Sequence, residues 1–415
     1  MKVKILSIFL SLCLCLSVLA ACQREEKEEE TRPARYGEYG ANFAIEFCRQ
    51  VPTRAPGSPG EAQAAQLIKA QLTELGYSFE SQPFAFNDRG QQLKSENIIV
   101  KITGRGFALD SDYKPEETVL DGQTPPSILE GRRLYILAHY DTAAVEDPAL
   151  ALEERTGIPA FQQADGLHDN AAAVAVLMTL AKEAKKLTPG YDLYLVFSGA
   201  AHADFAGARA LLSSLNENDK SLTDCVINLA AVYAGDKIYA HAGQNSVTGE
   251  NSKDYSLRRK LYEVTDIYYN NLLLTHNNFA IYTNQSLVRV THPVLGYPVS
   301  YREWTLYESD HSPFDRAGWP IVFIQSGQYD FDSEQQTFRE STDPFFNASG
   351  GRISGTGFDA SGILLPHFAA ELSAARADDE EESEIAIDRL NRNINNLAFV
   401  LLELSRKAPP HTEIK

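Results

Sequence analysis

Apolar and polar residues alternate along this chain with two periods, and the switches between them mark the elements. "SPGEAQAAQLIKAQLTELG" (58–76) carries a helical stripe with both ends signed. Ser58 suits the N-cap, Pro59 the first helical position, Glu61 completes a capping box, and Gly76 ends the helix. "YSFESQPFAF" (77–86) and "ENIIVKI" (96–102) read as extended segments. "RLYILAHYD" (133–141) and "YDLYLVF" (191–197) are nearly continuous apolar runs, as expected of strands buried on both faces. Between them "DNAAAVAVLMTLAKEAKK" (169–186) has helical periodicity, and "DFAGARALLSSL" (204–215) is a shorter helix. "CVINLAAVY" (225–233) and "WPIVFIQSG" (319–327) are further strands. Residues 377–407 form a terminal helix with an acidic start and a stripe of Ile387, Leu390, Ile394, Leu397, Leu401 and Leu404. Strand–helix–strand alternation predicts an α/β fold with a mostly parallel sheet sandwiched between helices, as a single domain over 37–410. Two stretches, about 243–303 and 331–375, break the pattern. They read as insertions that wall a cleft at the sheet's edge.

The N-terminus changes where this domain is expected to work. Lys2 and Lys4 precede an apolar run over 5–19, and the run closes in Leu19-Ala20-Ala21-Cys22. This is a secretory signal over 1–21 rather than a spanning helix. The L-A-A-C ending resembles a bacterial lipobox. It implies a lipid-modified Cys22 and a lipoprotein anchored to the extracytoplasmic side of the cell membrane. Residues 22–36 are charged and poor in apolar side chains, hence a solvated tether. Two of the 38 Lys+Arg lie in the leader, so 36 face 56 Asp+Glu in the rest, a net −20. That balance excludes nucleic acid as a partner and leaves membrane contact to the acyl chains. Cys48 and Cys225 leave room for one disulfide at most.

Candidate chemistry gathers where strands end. His139-Tyr140-Asp141 closes the strand 133–141, with His139 and Asp141 on one face. An imidazole with a carboxylate beside it suits a metal ligand and its orienting group. Asp169 opens a helix, where it could equally be an N-cap. His311 lies in "ESDHSPFDRAGWP" before a buried strand.

Taken in order, "AHYDT", "GLHDNAAAVAV" and "SDHSPF" resemble the zinc aminopeptidase and glutaminyl cyclase family of co-catalytic metallopeptidases. The resemblance implies a zinc-exopeptidase-like fold with a central mixed sheet, two zinc ions bridged by one aspartate, and action on peptide N-termini. By position, His139 and His311 match ligands of the two zincs, and Asp141 matches the orienter of His139. Asp169 matches the bridging aspartate, whose bond to Asn170 would be cis. The family pattern F-x-G-E-E-x-G, matched without a gap, puts Ala200 at the general base and Ala201 at a carboxylate ligand of "FSGAAHADFAG". Ala230 stands at a third carboxylate. Each zinc then keeps two protein ligands, where catalytic zinc normally has three, and loss of the base removes about 10²–10⁴-fold in rate.

His202 is the alternative ligand, one residue from the vacated position. Its place next in line predicts that it points elsewhere, and that it and Asp204 cap the following helix or face solvent. His168 and Asp236 lie near other site positions. Tyr140, Trp304, Tyr307, Tyr297 and Trp319 are pocket or core aromatics. The sequence therefore reads as a membrane-anchored, peptide- or ligand-binding relative of the zinc aminopeptidases without an intact catalytic set. It would hold zinc weakly or not at all. The alternative is an active metallopeptidase or amidohydrolase with a metal site rebuilt around His202.

Overall fold

The structure is a computed structural model. It describes residues 33–108, 128–143, 164–247, 259–270, 279–283, 288–291, 296–301, 307–329, 338–377 and 388–407. Cys22 with its leader, most of the tether, Trp304 and Ile387 lie outside the described residues.

The long apolar runs become the middle of the sheet. β3 (Arg133–His139), β4 (Asp192–Ser198), β5 (Thr223–Leu229) and β8 (Ile321–Tyr329) lie between β1 (Glu80–Asp88) with β2 (Gln91–Ile102) on one side and β6 (Lys237–Ala242) with β7 (Ile281–Tyr282) on the other. The spatial order is β1-β2-β4-β3-β5-β8-β6-β7, and β9 (Phe338–Arg339) pairs with β8. Pairs β4·β3, β3·β5 and β5·β8 are parallel. β1·β2, β2·β4 and β8·β6 are antiparallel, and the edge pair β6·β7 is parallel, so the sheet is mixed.

Helices cover both faces. α1 (Tyr39–Gln50), α3 (Ala172–Ala184) and α9 (Arg389–Lys407) share one large apolar core with the sheet. α3 is buried on nearly all sides, and its alanines let the neighbouring helices approach closely. On the other face, Ala208 and Leu211 of α4 (Ala206–Ser214), with Phe314 of α7 (Ser312–Arg316), pack over Leu137, Val226 and Phe323. Further described helices are α5 (Glu217–Leu222) and α6 (Arg259–Asn270), with a single turn over Gln244–Val247 between them. α2 (Pro59–Glu74) starts as the sequence signals, with the Ser58 side chain accepting from the Glu61 amide. The box does not close on Ser58, however: the Glu61 carboxylate accepts from Gly57 N–H at 2.6 Å.

Three expectations need revision. Within the stretch read as tether, Pro33–Tyr36 form a short helical turn, and Tyr36 is buried. The region 331–375 is not wholly irregular. It holds most of α8 (Ser361–Ala377), whose internal Pro366 hides the helical period. The described terminal helix starts at Arg389, with Leu390, Ile394, Leu397, Leu401 and Leu404 all buried as the stripe requires. Cys48 and Cys225 are buried and free.

Candidate metal centre

β3 and β4 run parallel and end side by side, and the segments that leave them form the site. His139 is the last residue of β3, and Asp141 follows two residues on. The loop after β4 brings in His202, and the turn before α3 brings in Asp169. Their side chains close a ring. His139 Nε2 lies 3.1 Å from Asp169 Oδ1, and His202 Nε2 lies 3.8 Å from Asp169 Oδ2. On the opposite side, the Nδ1 atoms of His139 and His202 lie 3.5 and 2.9 Å from the Asp141 carboxylate. Asp141 is fully buried, whereas Asp169 reaches the cavity. Asp141 thus stands behind both imidazoles, and Asp169 stands in front of them.

Electrostatics follow from this geometry. Burial lowers the pKa of both imidazoles, but the two carboxylates outweigh it. They hold His139 well above its ordinary value and His202 at about 9. Burial raises both aspartates, and the same histidines more than reverse it, so both stay ionised well below the usual range. The cluster balances its own charge.

The loop between β4 and α4 decides which of its residues face the cavity. Ala200 sits at φ +52, and its methyl packs with Phe86, Ala203 and Ala206, away from the cavity. Its N–H donates to Glu61 Oε1 at 2.7 Å. The next two amides, of Ala201 and His202, both donate to the Asp141 carboxylate at 2.9 Å. This pair of bonds turns Ala201 and His202 toward the cavity as neighbours. Ala201 and His202, rather than Ala200 and Ala201, are thus the neighbouring pair that faces the cavity. The expectation that His202 points outward fails because the left-handed turn at Ala200 breaks strand alternation. Asp204 pairs with Arg209 and makes no cap on α4. Ala230 lines the cavity where the sequence places it.

Asp169 is set by its backbone. Its bond to Asn170 is cis, as the resemblance implies. Asp359 accepts from the amides of His168 and Asp169 at 2.8 and 3.0 Å. Burial first, then the neighbouring Asp169, pushes the Asp359 carboxyl up to about 7, against opposing effects of His168. His168 points away from the cluster, accepting from Ala234 N–H and facing Glu340. His311 is not drawn into the ring. It stacks on Phe323 with centroids 4.4 Å apart, and burial followed by nearby His241 pushes it down to about 3. Its neighbour Asp310 bonds Ser198 and keeps Oδ1 buried without a partner. Asp236 is spent on Ser341 and Thr342.

The cluster opens into a cavity of about 490 Å³, with Ala201, Ala230, Tyr307, Phe323 and Gln325 in its wall. Its carboxylates are all engaged among the described residues. Asp169 serves the histidines, Asp204 pairs with Arg209, and Glu308 pairs with Arg316. Glu340 accepts from the amides of Ile353 and Ser354, from the Ser354 hydroxyl, and faces His168. Of the aromatic candidates, Tyr307 reaches the cavity, Tyr140 and Trp319 are core, and Tyr297 is exposed elsewhere.

Two imidazoles and a carboxylate converging from separate segments suit a divalent transition metal such as zinc. Donor atoms of His139, Asp141 and His202 also lie within 4.8 Å of one another. Sequence reasoning passed over Glu61 as a mere cap, and Asp359 and Glu340 altogether. Asp359 sits in the Gly-Ser-Phe-rich stretch, where no periodicity marks it.

A model of Peptidase family M28 matches residues 120–354. The alkaline phosphatase isozyme conversion protein of Escherichia coli (strain K12) is 24% identical over 312 residues, spanning 75% of this chain and 79% of that protein. Among solved structures, an Acidobacteriales bacterium glutaminyl cyclase superposes with TM-score 0.54 at 16% identity, over 92% of this chain and 98% of that one. An aminopeptidase from Aneurinibacillus sp. strain AM-1 gives 0.53 at 12%, over 92% and 97%. The zinc aminopeptidase of Bacillus subtilis gives 0.53 at 11%, over 91% and 96%. With its mixed sheet, its site at the parallel strand ends and a family match over more than half its length, the chain belongs to peptidase family M28.

Proposed function

We propose that this protein uses the family's cleft to hold one zinc ion and a peptide or other small cell-envelope ligand, without efficient hydrolysis. His139, Asp169 and His202 would hold the metal, with Asp141 orienting both imidazoles from behind. The observation that carries the reading is the Ala201 methyl in the cavity wall, where every carboxylate already has its partners. A bound zinc would act as a Lewis acid toward a carbonyl or amine of the ligand. Among the described residues, each carboxylate of the cavity wall already has a partner that competes for the role of base. The Escherichia coli relative is named for converting isozymes of alkaline phosphatase, which points toward a polypeptide ligand. The L-A-A-C ending supports placement at the outer face of the membrane, which a Cys22→Ala variant tests by its release or accumulation as precursor.

Purified protein should take up about one zinc per chain and show no chelator-sensitive release of amino-acid amides above background. A second reading, an amide hydrolase on a single-metal site, draws on the position of His202. Two histidines and one carboxylate make the three-ligand set of catalytic zinc. Robust turnover abolished by chelator and by His202→Ala would establish that reading and overturn the first.

A further inference from the structure

Arg54 lies between α1 and α2 and is fully buried. Among the described residues, its guanidinium is bonded to main-chain carbonyls. Nε donates to Tyr140 O at 2.7 Å, and Nη1 to Val51 O and Asp165 O, both at 2.8 Å. Nη2 reaches Gly166 O at 3.4 Å. Tyr140 sits between His139 and Asp141, and Asp165 and Gly166 lead into Asp169. The Arg54 backbone also exchanges bonds with Thr142, just past Asp141: its N–H donates to Thr142 Oγ1 at 3.0 Å, and its carbonyl accepts from Thr142 N–H at 3.1 Å.

We propose that Arg54 is a positioning residue for the metal centre, fixing the turn that carries His139 and Asp141 against the loop that ends in Asp169. This rests on the reading of the cluster as a metal site. The two segments are far apart in sequence and meet at the cluster through side chains. Arg54 joins their backbones. Arginine suits the task because its planar fork donates in several fixed directions at once, whereas a lysine donates from one point. As simple filler it would be a poor choice. A buried cation pays heavily in lost hydration, and an apolar side chain would occupy the same space without that penalty. The contact is also close: Gly166 has φ +62, and a Cβ there would lie 2.9 Å from Arg54 Nη2 and 2.5 Å from Thr142 Cγ2. The loop rests on Arg54 at backbone distance.

The test compares wild type with Arg54→Lys and with Leu72→Ala, a core truncation in α2 that serves as a stability control. Histidine-selective ¹⁵N labelling of the metal-free protein reads the imidazole N–H protons of His139 and His202, and chelator competition reads zinc affinity. Arg54→Lys should still unfold cooperatively, lose or broaden the His139 signal, and bind zinc about 10–100-fold more weakly. Leu72→Ala should keep both signals and bind zinc within about threefold of wild type, since a distant core cavity lowers stability without moving the ligands. Wild-type signals and affinity in Arg54→Lys would overturn the proposal. So would an equal loss in Leu72→Ala, or an Arg54→Lys chain that does not fold, which would make Arg54 a determinant of folding instead. Failure of wild type to bind zinc would sink the metal reading alone, and the imidazole signals would still decide whether Arg54 sets these rings.

Discussion

At the residue scale, function turns on which two neighbours face the cavity after β4. The composition "GAAHA" made the loss of a paired carboxylate visible. It did not show the left-handed turn at Ala200, and so it could not show that Ala201 and His202 are the pair that faces the cavity. Direct chemistry was legible at His139, Asp141 and Asp169, because strand ends and helix starts fix where such side chains point. His202 was legible only as an alternative ligand, because its inward turn depends on Asp141 capturing two successive amides. Two outcomes follow. His202→Ala removes one of three donors and should weaken zinc binding by at least about 10-fold, measured by chelator competition. The double variant Ala201→Glu, Ala230→Asp should tighten zinc and admit a second ion, read by metal analysis. It should also raise any amidase rate, by up to about 10²–10⁴-fold where the new carboxylate reaches the metal-bound water. An unchanged metal content in the double variant would show that these alanines do not occupy the ligand and base positions.

At the element scale, helices with signed ends and strands with unbroken apolar runs were readable, and elements held by tertiary contacts were not. α8 escaped because Pro366 interrupts its pattern, and α1 because its apolar stripe carries no capping signal ahead of it. Glu61 shows how one residue links elements. It lies in the first turn of α2, yet its carboxylate accepts from Gly57 N–H, from the Ser95 hydroxyl and from Ala200 N–H in the active loop. Burial, then the neighbouring Asp141, pushes it up to about 7. Glu61→Gln replaces one accepting oxygen by an NH₂ that must face an amide donor. It should cost about 1–3 kcal/mol in thermal or denaturant unfolding. It should also speed amide exchange at Ala200–His202. Ser58→Ala, which removes only the cap, should cost about 1 kcal/mol and leave that loop's exchange unchanged.

At the scale of the whole molecule, the fold class was written in the alternation of segments, but the antiparallel flank at β8·β6 and β9 was not, because β6 and β9 are short. That flank buries an aromatic layer with His241 inside it. His241 packs among Tyr239, Tyr329, Phe323 and Phe338, and its Nδ1 faces the Tyr329 hydroxyl at 3.3 Å. Burial pushes His241 down to about 3, and His311 beyond Phe323 is likewise held near 3. The sign is fixed by linkage. As pH falls below the ordinary histidine value near 6.5, the unfolded chain takes up a proton that the folded one refuses until about pH 3. Stability from His241 is therefore complete above that value and drains away between about 6.5 and 3, by on the order of 5 kcal/mol before relaxation of the surroundings. His241→Phe keeps the aromatic packing and cannot titrate. Its denaturant midpoint should fall less steeply than wild type's over that range, with the two curves converging or crossing toward the acid end. At neutral pH the variant should be weaker by about 1 kcal/mol, because the contact between His241 Nδ1 and the Tyr329 hydroxyl is lost. Parallel curves from pH 7 to 4 would mean that His241 reaches its proton through an opening of this flank, and that the layer is less closed than its burial indicates.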